Sequence, residues 1–138
     1  MTVHVKFSET LPLRAAEWIM SFTMITWGLI VLTNPGIFST APSFRGMEHI
    51  MPQNTWGILA LLFGTVGSCA LAINGFWVAT PFIRAVCAFI RCFFWFQITL
   101  GLFAGGVATT GLAIYPWLFA MDMWNIYRAM SDARRAVV

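Results

Sequence analysis

Residues 84–97 read RAVCAFIRCFFWFQ, with two arginines, Arg84 and Arg91, in an otherwise apolar run. They stand seven residues apart, two turns along one helical face. Whether this run crosses a membrane or lies in a soluble core decides the fold, and the surrounding chain answers. Of 138 residues, 59% are hydrophobic and 9% charged, with a mean hydropathy of +0.79. A soluble domain carries about 25% charged residues. Seven Trp and thirteen Phe exceed what a core of this size can hide from water. The composition specifies an integral membrane protein, all-α, with one domain over 1–138.

A membrane helix needs about 20 mostly apolar residues, and four segments approach that length. The first covers about 15–32 and is stopped by Asn34-Pro35-Gly36. The second covers 56–73 and ends at Asn74-Gly75. The third, 81–104, opens on Pro81, a favoured first-turn residue. The fourth, 107–127, follows a tight Gly105-Gly106 turn and contains Pro116, which is expected to free the Leu112 carbonyl and kink the helix. A polar segment, 1–14, precedes the bundle, without the pattern of a cleavable signal peptide. The outer loop, 33–55, holds Pro35, Pro42 and Pro52 and reads as partly ordered, with a turn or two of interfacial helix. The tail, 128–138, is polar and continues as helix.

Cations orient membrane helices toward the cytoplasm. With four spans, Lys6, Arg14, Arg84, Arg91, Arg128, Arg134 and Arg135 share one side, and Arg45 stands alone on the other. Both termini are therefore expected in the cytoplasm, and the location is a bacterial inner membrane. Trp18, Trp77, Trp124 and Tyr127 fall at the cytoplasmic interface and Trp56 at the outer one, as in an aromatic belt. Trp95 and Trp117 fall deep at matching heights, packed on each other or facing lipid.

The two arginines can then be placed. Arg91 lies 14 residues before Gly105-Gly106 and Asp122 lies 16 residues after it, at depths of about 21 and 24 Å. They are nearly level, with Arg84 two turns nearer the cytoplasm and Glu17 in the layer between. Charges in hydrocarbon are rare and usually paired. One reading has Arg84 and Arg91 reach toward headgroups and pair with Asp122, Glu17 or both, fixing register. The other makes Glu17, Arg91 and Asp122 a functional polar cluster, continued outward by Gln97 and then Thr99 and Thr109-Thr110. Small residues on the second helix, Gly57, Ala60, Gly64 and Gly67, recur every three or four positions and leave a groove for a neighbouring backbone. Gly101 and Gly105 form a GxxxG on the third. Either face could serve an internal contact or an oligomer.

Chemistry-bearing patterns are sparse. His4 and His49 lie outside the spans, which excludes haem ligation by paired histidines. Cys69, Cys87 and Cys92 lack CxxC spacing and read as small buried hydrophobes. No hydrolytic triad, nucleotide loop or HExxH is present. No catalytic or metal-ligating residue is assigned, and no enzymatic activity, cofactor or nucleic-acid partner is expected. Membrane lipids, other copies of the chain or other membrane subunits are the expected partners.

The pattern Trp56-Gly57, Asn74-Gly75, Pro81, Arg84, Phe94-Trp95-Phe96, Gly111, Tyr115, Asp122, Tyr127-Arg128, Asp132 resembles small four-span membrane proteins encoded by tailed bacteriophages, over about residues 55–135. The resemblance implies a holin-like protein of the inner membrane that acts by self-association. The short tail and long outer loop depart from the commonest holin pattern. The alternatives are an accessory or scaffold subunit of a larger membrane complex, contacting lipid or pigment, and a small proton-coupled transporter using Glu17.

Overall fold

The computed structural model describes residues 14–74 and 76–137. Residues 1–13 of the N-terminal polar segment, with His4 and Lys6, lie outside the described residues, as do Gly75 and Val138. All regular structure among the described residues is helical. The order is α1 (Ala15–Thr33), α2 (Ile37–Thr40), a 3-10 turn (Pro42–Phe44), α3 (Arg45–Ile50), α4 (Gln53–Ala72), α5 (Thr80–Ala104), a second 3-10 turn (Thr110–Ala113) and α6 (Tyr115–Val137). Three of these helices, α1, α4 and α5, are long and apolar enough to cross a membrane.

Local chemistry explains the boundaries. At the end of α1, the Asn34 side-chain amide donates to the Ile30 carbonyl at 2.8 Å and the Asn34 backbone N–H to the same oxygen at 3.1 Å. Pro35 cannot extend the helix, and Gly36 at φ +85° turns the chain back. Pro81 sits in the first turn of α5, where its missing N–H costs nothing.

The fourth helix departs from the sequence expectation. It starts at Tyr115, not Val107, and continues to Val137. Residues 107–113 read VATTGLA, rich in poor helix formers, and form an extended stretch followed by the 3-10 turn. Pro116 is the second residue of α6, so it opens the helix instead of interrupting it. The expected Gly105-Gly106 turn widens accordingly into the connection from Gly105 to Ile114.

Two helical hairpins make the bundle: α1 packs along α4, α5 along α6, and the pairs join through α4 against α5 and α1 against α6. Close approach in the first hairpin depends on missing side chains. A Cβ at Gly28 would lie 2.9 Å from the Gly57 carbonyl oxygen, and one at Gly64 would lie 3.0 Å from that of Ser21. The small-residue face of α4 is thus used inside the chain.

The 33–55 connection is an ordered cap over one end of the bundle. Phe38 stacks on Phe44 at 4.9 Å, and Trp27 meets Phe38, Phe44 and Phe94. Gln53 ties the cap to α1: its amide donates to the Val31 carbonyl at 2.7 Å and the Asn34 carbonyl at 2.9 Å, and its oxygen accepts the Phe38 N–H at 3.2 Å. Trp56, expected at an interface, is buried here, edge-on to Phe94 at 4.8 Å and donating to the Met47 carbonyl at 2.9 Å. Gly101 carries this cap as well, with Gly105 beside it at ordinary contact distance. A Cβ at Gly101 would fall 1.8 Å from the Ser43 carbonyl oxygen, and one at Gly105 would fall 3.7 Å from Pro42.

Candidate functional site

At the other end, each of three helices brings a polar stripe to a common layer. Glu17 and Ser21 come from α1, Arg84 and Arg91 from α5, and Asp122, Asn125 and Asp132 from α6, with Arg14 just before α1. The spacings are three, four or seven residues, which keeps each set on one helical face.

Arg91 and Asp122 form the inner pair. Arg91 Nη2 lies 2.9 Å from Asp122 Oδ1, and Arg91 Nε donates to both carboxylate oxygens at 3.2 and 3.1 Å. Arg91 is 2% exposed and Asp122 0%. The other Arg91 nitrogen, Nη1, donates to Ser21 Oγ at 3.1 Å. Asp122 also accepts from Trp95 Nε1 at 2.9 Å and from Asn125 Nδ2 at 3.1 Å. A buried carboxylate is tolerable only when its lone pairs are so occupied. Gly67 makes the room: a Cβ there would lie 3.1 Å from both Arg91 Nη1 and Ser21 Oγ.

Arg84 and Glu17 form the outer pair. Arg84 Nε donates to Glu17 Oε2 at 2.8 Å, and Nη2 bonds Oε1, a bidentate fork. Arg84 Nη1 donates to Asn74 Oδ1 and to Asp132 Oδ2, each at 3.1 Å. The same Asp132 oxygen accepts from Arg14 Nη2 at 3.3 Å. Three guanidinium groups, Arg14, Arg84 and Arg91, therefore meet three carboxylates, Glu17, Asp122 and Asp132. The gap between the two pairs, bounded by Glu17, Ser21, Gly67, Leu71, Arg84 and Arg91, is too narrow for a water molecule. Two buried side-chain atoms in this region lack a partner among the described residues: Arg14 Nη1 and Asn125 Oδ1.

Set against the sequence reading, the structure brings Glu17, Arg84, Arg91 and Asp122 into one layer and divides the partners. Glu17 pairs with Arg84, not Arg91. Gln97 does not join; it lies toward the cap, lining a groove with Pro42 and Arg45. Trp95 and Trp117 do not share an environment, since Trp95 is buried on Asp122 and Trp117 is 73% exposed. Sequence reasoning missed Arg14, Ser21, Asn74, Asn125 and Asp132 as members. The signal was present: residues 122, 125 and 132 continue one face of α6, and 14, 17 and 21 one face at α1.

Comparison with protein families, with curated proteins and with solved structures finds no match for this chain.

Proposed function

We propose that the chain is a four-span protein of a bacterial inner membrane, both termini cytoplasmic, that acts by lateral self-association in the manner of a holin. The reading has α6 as the fourth span, its polar face turned to the ion-pair layer and its Trp117, Met121 and Trp124 outward. The layer supports a structural role for the charges. Each of the three arginines has a carboxylate, and the two buried carboxylates, Glu17 and Asp122, are both committed to a guanidinium.

The observation that carries self-association is the exposed face of α5. Phe82, Val86, Phe89, Phe93, Phe96, Leu100 and Phe103 all lie exposed on it, at alternating spacings of four and three. A 3.5-residue repeat keeps one seam aligned with a partner helix along a left-handed crossing, the commonest geometry between membrane helices. The glycine faces first considered for assembly are occupied by α1 and by the cap, which leaves this aromatic seam.

Copies in one bilayer share an orientation, so a two-fold pair sets each seam residue near its own counterpart. Phe89→Cys, in a Cys69→Ser background, is expected to give a disulfide-linked dimer when native membranes are oxidised. Ile58→Cys, on the exposed face of α4, should remain monomeric. Monomer alone from Phe89→Cys would remove the seam. The holin reading adds that induced expression in a bacterial host collapses the membrane potential abruptly; undisturbed growth would discard it.

Glu17→Gln separates structure from transport. The variant loses the fork to Arg84, which keeps Asn74 and Asp132, at an expected cost of about 1–3 kcal/mol. A lowered melting temperature in detergent is expected, with proton permeability of proteoliposomes equal to that of the unaltered protein. Loss of a proton flux with an unchanged melt would favour the transporter instead.

A further inference from the structure

Beside the outer ion pair, the turn after α4 and the last turns of α6 enclose an open cleft of about 340 Å3, within the size range of small-molecule sites. Arg14 and Arg135 line it with Asn74 and Asp132, and Phe76 and Trp77 form its lip. Both lip residues are exposed. Arg14 Nη1 is buried with no acceptor among the described residues. The carboxylates nearby are already engaged: Glu17 holds Arg84, and one Asp132 oxygen is shared by Arg84 and Arg14. Among the described residues around the cleft, the guanidinium groups of Arg14, Arg84 and Arg135 outnumber the carboxylates of Glu17 and Asp132.

We propose that this cleft binds the phosphate-bearing headgroup of an anionic phospholipid. A phosphodiester oxygen supplies the acceptor that Arg14 Nη1 lacks, and Arg135 closes on the phosphate from α6, where a guanidinium is suited to phosphate geometry. Phe76 and Trp77 continue the cleft with apolar surface for the glycerol and the first acyl carbons. That continuity selects a lipid over free phosphate. Aromatic rings beside basic groups are the arrangement that membrane–water interfaces favour. Arg14 lies outside the apolar spans, and burial together with the neighbouring Arg84 holds its pKa below the ordinary arginine value; an anion in the cleft acts in the opposite direction.

The site rests on the membrane reading but not on self-association. Its test uses the full chain in mild detergent, with folding read separately by circular dichroism. Native mass spectrometry after adding phosphatidylglycerol or phosphatidylcholine of the same acyl chains is expected to show preferential retention of phosphatidylglycerol. Arg135 is exposed and takes no part in the ion pairs of the layer, so Arg135→Gln should fold normally and weaken that retention about ten-fold, the loss of one hydrogen bond to a charged group. Arg14→Gln should do the same where it folds. Equal retention of both lipids, or phosphatidylglycerol retention unchanged in Arg135→Gln, would overturn the site. Millimolar inorganic phosphate displacing the lipid and raising the melting temperature as much would assign a soluble anion and overturn the lipid assignment.

Discussion

Asp122→Ala is expected to remove a large share of the chain's stability in detergent and to lower its melting temperature sharply. Removing this carboxylate strands Arg91 in a site where it is 2% exposed. Breaking a buried pair from one side costs about 3–5 kcal/mol, against a total stability of about 5–15 kcal/mol for ordinary domains. Trp95 Nε1 and Asn125 Nδ2 lose their acceptor in the same step. Arg91→Ala should be nearly as harmful, for it leaves Asp122 as a buried anion. The double variant removes both charges together, so it should cost less than the two single changes added, by about 2 kcal/mol or more. Thermal melts of the four proteins in one detergent close the cycle. Strict additivity would mean that the geometry of the pair carries no coupling.

Gly101→Leu is the second large effect. The obstacle to a side chain is the Ser43 carbonyl oxygen, 1.8 Å from the ideal Cβ position. That atom belongs to backbone, so no rotamer change can clear it; the cap itself must move off α5. Overpacking of this sort costs about 1–3 kcal/mol. Displacement of the cap lifts Met47, a buried residue of the cap whose carbonyl accepts the Trp56 indole N–H, away from the bundle it packs against. A maleimide reagent should accordingly label Met47→Cys slowly in the parent chain and rapidly once Gly101→Leu is added. Gly46→Ala is the matched control: nothing lies within 4 Å of its Cβ position, and labelling should not change. Equal labelling of Met47→Cys in all three backgrounds would mean the cap does not rest on Gly101.

Particular residues explain how far the sequence could be read. The long apolar helices were legible because Asn34-Pro35-Gly36 and Pro81 punctuate them by mechanisms that need no tertiary context. The layer containing Arg84, Arg91, Asp122 and Glu17 was legible because buried charge has few tolerable solutions, and two helices joined by a turn bring residues equally distant from it to one height. The assignment of partners was not legible. Choosing Glu17 for Arg84 over Arg91 depends on the rotation of α1, which Gly28, Gly57 and Gly64 set by how closely they let α4 approach. Pro116 misled because a proline in an apolar run reads equally as a kink or as a helix start, and the extended stretch before it decided the matter. The cap was hidden for a further reason: its order comes from Gln53 and from rings distant in sequence, Trp27 and Phe94, which no local pattern couples.

The division into two hairpins bears on how such a molecule enters a bilayer. The α1–α4 half contributes Arg14 and Glu17 to the buried layer; the α5–α6 half contributes Arg84, Arg91, Asp122 and Asp132. Within these ion pairs, each half supplies as many cations as anions. On the proposed four-span reading, a nascent chain delivers the halves to lipid one after the other, each carrying its own balance of these paired charges. Arg84 meets Glu17 only when the second half docks on the first, so that contact belongs to the last event of assembly.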